Sequence, residues 1–526
     1  MRSRELVFLT ILMLSASSAA RADDPHPEAG ALDLVLQAEG RTALIRLRIA
    51  TGGVPVPALW DETFAALFRA ADRDGDGSLD DVEIGKLPGA FALRQGPPFL
   101  NPGIPPSRAA LVLDRDGRVD LGVVADYYRR EGLGGPILGL GRPSASATLS
   151  EALLLRIDQD ANGRLDVEEA KGFVPALLAL DGNGDELVSP DELARHLPYP
   201  GSTGSEYLAA PSAGREPIGV EAASPLLPLP IRRADRHWAA ILLDRGDLDG
   251  DHRLDVVESG LTAPTFNRLD RSGDRLLDAD ELAAWPTLPP EILRDLTIDE
   301  AAADRFDVEI GRVRLSFRAA EGGLLDWVEA ARTRLLTQFA EADADRDRQV
   351  EDREAVAPAL AEIRRLLPLA DRDNDGKLGL EELDAWLDLQ RQFARGHVTL
   401  IVLDHGSGLF ESLDADLDGV LSAREITGGP ARLRDSGVIA EDGRIDLDAL
   451  PRHLVITASR GRPKSPYRPR RPGPAWFLAM DRNGDGDVSG REFNGPSSAF
   501  KSLDLDGDGL LDAEESSRPL RSPGPR

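Results

Sequence analysis

Carboxylates recur at fixed intervals in two short stretches near the C-terminus of this 526-residue chain. Residues 481–492 read DRNGDGDVSGRE, and residues 504–515 read DLDGDGLLDAEE. Each stretch is a twelve-residue loop with oxygen-bearing side chains at positions 1, 3, 5 and 12 and Gly at position 6. A hard cation such as Ca²⁺ takes about six to eight oxygen ligands, which a short loop supplies when oxygens alternate and a bidentate glutamate closes the shell. The spacing therefore predicts cation binding.

Oxygen-bearing side chains at positions 1, 3, 5 and 12 recur in ten loops in all. Each loop is called by the number of its first residue, so that the last two are loop 481 and loop 504. Position 8 is Leu or Val in all ten, and Phe or Leu stands four residues before every loop. The first regularity suits a short β-bridge between paired loops, and the second suits the apolar face of an entering helix. Acidic surface turns without metal, the alternative interpretation, would show neither.

These loops resemble the calcium-binding loops of EF-hands. The whole chain resembles secreted multi-EF-hand calcium-binding proteins, and its plan is similar to that of reticulocalbin-type proteins. It departs from them in having more loops and tighter pairs, and it ends in SPGPR rather than in an HDEL-type retention signal. The resemblance implies binding of several Ca²⁺ ions, with Mg²⁺ as a weaker competitor.

Six loops carry Gly at position 6, where the backbone needs a positive φ that costs other residues about 1 kcal/mol. We expect these six to bind Ca²⁺ more strongly, with the position 7 residue contributing its carbonyl. Their predicted metal ligands are Asp72, Asp74, Asp76, Ser78, Asp80 and Glu83; Asp158, Asp160, Asn162, Arg164, Asp166 and Glu169; Asp371, Asp373, Asp375, Lys377 and Glu382; Asp414, Asp416, Asp418, Val420, Ser422 and Glu425; Asp481, Asn483, Asp485, Asp487, Ser489 and Glu492; and Asp504, Asp506, Asp508, Leu510, Asp512 and Glu515.

The other four loops lack this Gly. Position 6 is occupied by Glu186, His252, Arg275 and Arg348. We expect weaker binding there, because a side chain at a positive φ strains the loop. Their predicted ligands are Asp181, Asn183, Asp185, Leu187 and Glu192; Asp247, Asp249, Asp251, Arg253 and Glu258; Asp270, Ser272, Asp274, Leu276 and Glu281; and Asp343, Asp345, Asp347, Gln349 and Glu354.

Taken in order, the loops predict a mainly α fold with minor β. Six tandem EF-hand pairs, with about ten ligand-competent loops, are expected to be joined by short β segments and by linkers rich in Pro and Gly. The helices between paired loops are short, and such helices are hardly stable alone. Metal binding should therefore hold each pair together.

The predicted domain boundaries follow the same order. They are a signal peptide over 1–22, a β-hairpin and pair 1 with a degenerate second loop over 23–140, pair 2 over 145–200, a linker over 201–230, pair 3 over 231–295, a β segment over 296–322, pair 4 over 323–396, β segments and pair 5 with a degenerate second loop over 397–460, a basic Pro-rich linker over 461–474, and pair 6 over 475–518.

The N-terminus has the layout of a Sec-type signal peptide. Basic residues precede an apolar run over 6–14, and Ala20 and Ala22 fit a small-x-small cleavage site. We expect cleavage after Ala22 and a secreted or periplasmic protein. The alternative is an uncleaved anchor, although the run is short for a bilayer. No later segment predicts a membrane span in the mature chain.

Composition narrows the function. The formal charge of -29 would repel nucleic acid, and the motifs of common catalytic sites are absent from the sequence. We expect a non-enzymatic, exported structural or interaction protein whose EF-hand pairs fold and rigidify on Ca²⁺, with an extracytoplasmic protein or polymer as an unnamed partner. The alternative is an extracytoplasmic Ca²⁺ buffer, or a sensor that exposes apolar grooves to a partner. An enzyme with a Ca²⁺-dependent scaffold is a distant third.

Overall fold

The structure is a computed structural model. It describes residues 31–38, 40–98, 100–111, 118–140, 146–195, 197, 208–209, 225–229, 237–298, 305–320, 322–461 and 473–518. The predicted signal peptide and most of the two predicted linkers lie outside the described residues.

The strands of the described residues range from two to eleven residues in length. In chain order they are β1 Ala31–Ala38, β2 Arg41–Thr51, β3 Val54–Pro55, β4 Ile137–Leu140, β5 Leu187–Val188, β6 Leu208–Ala209, β7 Leu226–Pro228, β8 Ile292–Ile298, β9 Arg305–Ile310, β10 Val313–Ala320, β11 Gln349–Glu351, β12 Lys377–Gly379, β13 Val398–Gly406, β14 Leu421–Ser422, β15 Arg452–Arg460, β16 Val488–Ser489 and β17 Leu510–Leu511.

The helices mostly enter or leave the acidic loops. They are Val56–Ala71, Asp81–Ile84, Ala90–Gln95, Leu121–Arg130, Ser146–Ile157, Val167–Leu178, Pro190–Leu193, His237–Gly246, Val256–Ser259, Ala263–Leu269, Ala279–Leu282, Leu324–Ala342, Ala361–Ala370, Leu380–Gly396, Leu409–Leu413, Ala423–Asp435, Ala475–Met480, Ser497–Leu503 and Ala513–Ser516. Short 3₁₀ helices span Arg108–Ala110, Trp285–Thr287, Pro358–Leu360 and Leu447–Ala449.

A five-stranded sheet is built on the β1–β2 hairpin. Its order is β3-β2-β1-β7, and β8 also pairs with β2, in parallel. Alternate residues of a strand face opposite sides. Leu34 and Leu36 face the main core, whereas Val35 packs against the helices of loops 247 and 270 together with Leu44 of the neighbouring strand. The sheet therefore separates the main core from one group of loops.

A six-stranded sheet combines four strands of the C-terminal half of the chain with two from the N-terminal half. Its order is β6-β4-β13-β15-β10-β9, with β10 parallel to β15 and β13 antiparallel to it. The central strands β13 and β15 are buried on both faces, which explains their nearly continuous apolar sequence. Leu400 and Val402 face the main core, whereas Ile401 and Leu403 face the opposite side, where Leu417 of loop 414 covers them.

The expected fold class, mainly α with minor β segments between tandem pairs, is wrong. Of the described residues, 43% are helical and 21% are in strands. The segments expected to be connectors are instead the strands of the two large sheets, which join residues far apart in the chain. Apolar alternation marks a strand, but it does not identify the strand with which it pairs.

The order of six tandem pairs is also wrong, because loops from distant segments pair with each other. β5 of loop 181 pairs with β14 of loop 414. Loop 158 pairs with the degenerate segment 438–449, through an isolated bridge between Arg164 and Arg444. The helices around these four loops share one hydrophobic core. Position 8 is apolar in every loop, so the sequence pattern alone did not distinguish these partners from the neighbours along the chain.

Other loops pair with their sequence neighbours. β11 pairs with β12, β16 pairs with β17, and Leu254 bridges to Leu277. Loop 72 is joined to the segment after it by a hydrogen bond from the N–H of Leu79 to the carbonyl of Val119, at 2.9 Å. In the part of the chain that the structure describes, no helix is both long enough and apolar enough to cross a bilayer.

Candidate metal centres

Each loop begins at, or just after, the end of its entering helix, and the carboxylate of its first aspartate accepts hydrogen bonds from backbone N–H groups of the loop. The carboxylate of position 1 accepts the backbone N–H of position 6 in all ten loops, at 2.9–3.2 Å. In loop 72, Oδ2 of Asp72 accepts from Gly77 at 3.2 Å and Oδ1 accepts from Gly75 at 2.8 Å. These bonds turn successive carboxylates toward a common centre.

The closing glutamate is held at both oxygens. Its Oε2 accepts the N–H of position 9 in all ten loops, at 2.8–3.2 Å. Its Oε1 accepts the N–H of position 2 in nine of them, at 2.7–3.0 Å. In loop 504, Asp512 and Glu515 also form a capping box that starts the exiting helix. The helix start thus places the glutamate across from position 1.

The donor set fits a hard cation. In loops 72, 158, 247, 343 and 371, carboxylate oxygens of three ligand residues lie within 4.8 Å of one another. Oδ1 of Asp343 and Oδ1 of Asp481 are buried, and no hydrogen-bond partner among the described residues reaches them. A buried carboxylate oxygen without a donor is costly. The predicted oxygen ligands therefore suit a hard cation such as Ca²⁺.

The strain expected at position 6 is present. Glu186, His252, Arg275 and Arg348 have φ values of 65°, 61°, 68° and 66°. Position 4 also has a positive φ, which was not expected from the twelve-residue pattern. Four non-glycine residues stand there, namely Ala161, Arg346, Asn374 and Leu417. Loop 343 is strained at both positions, whereas loops 72, 481 and 504 have Gly at both.

The position 8 side chains are the internal supports of the loops. All ten are buried: Leu79, Leu165, Val188, Leu254, Leu277, Val350, Leu378, Leu421, Val488 and Leu511. Pairing brings them together across each bridge, as for Val350 with Leu378 and for Val488 with Leu511. Each bridge therefore connects two loops through backbone bonds and apolar contact, so the positions of their first and last ligands depend on each other.

Some residues at position 7 use their side chains elsewhere. Arg253 forms an ion pair with Asp274 of the paired loop at 2.7 Å, and Lys377 forms one with Glu351 at 3.0 Å. Arg164 lies 3.6 Å from Asp442 of the degenerate segment. Only the carbonyl of position 7 is expected at the metal. These side chains instead strengthen the contact between paired loops.

Loop 414 contains Asp414, the most deeply buried predicted metal ligand among the described residues. Asp414 is 1% exposed, and Asp418 and Glu425 are each 8% exposed. Burial, and then the charges of Glu425, Asp418 and Asp416, raise the pKa of Asp414 well above its usual value. Burial, and then the charge of Asp416, also raise the pKa of Glu425. A bound cation would offset this accumulation of buried negative charge.

An arginine from the six-stranded sheet supports loop 414. The Arg318 guanidinium, from β10, donates to the carbonyl of Asp416 and to the carbonyl of Leu417 at 3.4 Å. Leu417 packs against β13 and β15. In the sequence, Arg318 is an ordinary polar residue of an alternating strand, and no local pattern indicates this role. Only the folded sheet shows that its side chain is 5% exposed and directed at a loop.

The C-terminal pair, loops 481 and 504, has a small core of its own. Four apolar residues are buried in it, Phe477, Val488, Leu503 and Leu511. Burial raises the pKa of Asp485, the position 5 ligand of loop 481, to about 7. The amide of Asn483 donates to the carbonyl of Asp185 at 3.0 Å, so this pair touches loop 181.

Arg424 connects the C-terminal pair to loop 414. It is position 11 of loop 414, and its guanidinium forms ion pairs with Asp487 at 2.8 Å and with Asp508 at 2.9 Å. Asp508 is a predicted metal ligand of loop 504. Arg424 therefore connects loop 414 to loops 481 and 504, although it is not a predicted metal ligand of any of them.

The degenerate segments serve as structural partners. Leu165 donates its N–H to the carbonyl of Gly443 at 2.7 Å, and Ile445 donates to the carbonyl of Gly163 at 3.0 Å. In segment 112–123 the structure describes residues from 118 onward, and Val119 accepts the bond from loop 72 described above. Both contacts reach position 8 or its neighbours, the part of each degenerate segment that keeps the pattern.

Comparison with known families agrees with this geometry at three places. The EF-hand family model matches residues 64–87, 475–495 and 498–515, which contain loops 72, 481 and 504. The chain carries EF-hands. Calcium binding follows for these segments, since the matched residues include the ligand positions described above. No curated protein and no solved structure matches the chain.

Proposed function

We propose that this EF-hand protein is an exported, non-enzymatic structural protein whose folded state is stabilised and made more rigid by bound Ca²⁺. The seating of loop 414 on the six-stranded sheet carries the proposal. The carboxylates of this loop are buried, Leu417 of the loop packs on β13 and β15, and Arg318 of β10 donates to its backbone. An ion in loop 414 would therefore stabilise the contact between a helical core and the sheet. An ion bound there stabilises the folded chain by mass action.

The crossed pairing supports the same proposal. Loops 158 and 181 reach loop partners in the segment after β13, and these four loops enclose one core. Ca²⁺ bound at this core would connect two distant parts of the chain. A simple buffer has no need of such connections, because each loop could then bind and release independently.

Scattering and spectroscopy of the full chain test the proposal. In Ca²⁺ we expect a compact particle, and in EDTA a larger radius of gyration, weaker helical circular dichroism and a shift in tryptophan emission. The metal-free carboxylates repel each other, and their repulsion opposes compaction. Unchanged dimensions and spectra in EDTA, with Ca²⁺ binding confirmed by calorimetry, would instead indicate a buffer.

The buffer is the second candidate, since several loops are open to solvent. The ligands Asp74, Asp249 and Asp506 are exposed, so ions there would exchange with the medium directly. Export is proposed from the N-terminal sequence alone. Mass spectrometry of the protein recovered from the exporting cell would show a mature N-terminus at Asp23, whereas an intact Met1 in the processed fraction would contradict export by cleavage.

A further inference from the structure

Loop 72 and loop 371 lie side by side, although they belong to loop pairs that are far apart in the chain. The helix that enters loop 72 packs against the helix that leaves loop 371. Thr63 Oγ1 contacts the carbonyl of Gln392 at 3.5 Å, and Leu59 lies against Gly396, so the helices run antiparallel. The end of the first helix therefore meets the start of the second, and the two loops face each other there.

Two arginines connect these loops reciprocally. Nη2 of Arg73 donates to the carbonyl of Asp371 at 2.8 Å, and Nη2 of Arg372 donates to the carbonyl of Arg69 at 3.0 Å. Both arginines occupy position 2 of their own loop. Asp371 is the first residue of loop 371, and Arg69 lies in the last turn of the helix that enters loop 72. Each arginine thus binds the backbone at, or just before, the first residue of the other loop, a place called here the entrance of that loop.

The same arginines are attached to the glutamates that close their own loops. The N–H of Arg73 donates to Oε1 of Glu83 at 2.7 Å, and the N–H of Arg372 donates to Oε1 of Glu382 at 2.7 Å. An ion that fixes the glutamate also fixes the backbone of position 2. The guanidinium then has less freedom, and the entrance of the neighbouring loop is ordered with it.

Electrostatics alone predicts the opposite effect. A cation bound in one loop repels a second cation nearby. Lys86 adds positive charge to the same region and interacts with both loops, since burial and the charge of Arg73 lower its pKa while Asp371 raises it. The sign of the coupling between the two loops therefore distinguishes ordering by the arginines from simple repulsion.

We propose that Arg73 and Arg372 couple the two sites, so that Ca²⁺ in loop 72 raises the Ca²⁺ affinity of loop 371 and the reverse. The first ion orders both entrances, and the second ion is spared part of that ordering cost. The coupling is reciprocal by thermodynamic linkage. It deepens the proposed function and rests on it, because it requires both loops to bind Ca²⁺.

A reporter in loop 72 of the full chain tests the coupling. Ser78→Trp places an indole at position 7, beside the ion, where it sensitises the luminescence of bound Tb³⁺, and Ca²⁺ displaces the Tb³⁺. The signal is taken as the difference from the chain without this tryptophan. Loop 371 is then disabled with Asp371→Asn and Glu382→Gln. We expect loop 72 to bind Ca²⁺ about fivefold more weakly in the disabled chain.

The arginine variants identify the cause. With Arg73→Ala and Arg372→Ala, disabling loop 371 should leave the affinity of loop 72 unchanged. Arg73→Lys with Arg372→Lys keeps the charges but lacks the planar guanidinium, so it should restore little of the coupling. Arg482→Ala is the matched control, since Arg482 is position 2 of loop 481 and donates within its own loop, to the carbonyl of Arg491 at 3.1 Å. That variant should retain the full fivefold effect.

An equal or tighter affinity of loop 72 after loop 371 is disabled overturns the proposal. If the disabled chain loses helical signal, the coupling is measured instead in a chain with both loops intact. That chain carries Ser78→Trp and Lys377→Trp, and the Hill coefficient for Ca²⁺ is obtained from the displacement of Tb³⁺ at these two reporters. We expect a value above one that falls to one in the double alanine variant, and a value of one in the parent chain contradicts the coupling. Absence of Tb³⁺ luminescence from either loop would refute Ca²⁺ binding itself, which is a separate failure.

Discussion

Loops 414 and 504 have nearly the same ligand chemistry but different surroundings. Both have aspartates at positions 1, 3 and 5, Gly at position 6 and Glu at position 12. Asp418, at position 5 of loop 414, is buried, whereas Asp508, at the same position of loop 504, is exposed. The comparison shows that ligand spacing determines which ion a loop can hold, while packing determines how much of the fold depends on that ion.

The difference arises from what lies beneath each loop. Loop 414 covers one face of the central strands β13 and β15, and it shares a core with three other loop segments. Loop 504 stands on the small core of the C-terminal pair. Losing the ion should therefore disturb many residues in the first case and few in the second.

The largest expected effect comes from removing the closing glutamates. In millimolar Ca²⁺, Glu425→Gln should weaken ion binding in loop 414 and leave its remaining buried carboxylates uncompensated. An uncompensated buried charge costs about 3–5 kcal/mol. We expect the free energy of unfolding, followed by circular dichroism in urea, to fall by about that amount.

The matched variant is Glu515→Gln, in which the same change is made at position 12 of loop 504. Glu515 is itself buried, at 7% exposed, but Asp506 and Asp508 of its loop are open to solvent. Fewer buried carboxylates would lose their ion, so we expect a smaller fall in the free energy of unfolding, of about 1–2 kcal/mol. Equal losses in the two variants would show that burial does not separate the loops.

The pH dependence of loop 481 gives an intermediate effect. Because burial raises the pKa of Asp485 to about 7, Ca²⁺ must displace a proton there below that pH. Affinity at pH 6 should be about tenfold lower than at pH 8, as expected for one competing proton. Calorimetry on a chain with Asp485→Asn serves as the control, since its affinity should be lower overall and lose this pH dependence.

The same shift has a defined sign for stability without metal. The folded protein holds the Asp485 proton up to a higher pH than the unfolded chain does. The stability of the metal-free C-terminal pair should therefore fall as the pH rises from about 4, the unfolded value for Asp, to 7. A rise over this window in EDTA would contradict the raised pKa.

The smallest effect should come from the residue that joins the two regions. Arg424→Ala removes ion pairs to Asp487 and Asp508, and its side chain is 38% exposed, so we expect a loss of about 1 kcal/mol or less. Limited proteolysis should nevertheless show faster cleavage between the C-terminal pair and the rest of the chain. Arg518→Ala removes only a local pair with Glu514 and should leave the cleavage rate unchanged.

Much of each loop was predictable from the sequence, because its geometry is local. The positive φ at Glu186 and the buried Val350 at position 8 follow from a twelve-residue pattern that largely specifies its own hydrogen bonds. The partner of loop 181 was not predictable in this way, since Leu421 and the apolar residues of other loops are chemically alike.

The sheets could not be assembled from the sequence for a related reason. The alternation around Leu315 marks a strand, but its parallel partner Leu454 lies far along the chain. The role of Arg318 depends on that sheet and on the loop above it. Such contacts are set by tertiary packing, which no local pattern records.

The pairing of loop 181 with loop 414 also has a consequence for the order of folding. The two partners leave the ribosome far apart in time, and contacts between distant residues form slowly. The helices around loops 158 and 181 cannot complete their core until the segment through residue 450 has emerged. A chain that stops before residue 409 would keep two acidic loops without partners, and these would be open to proteases even where Ca²⁺ is abundant.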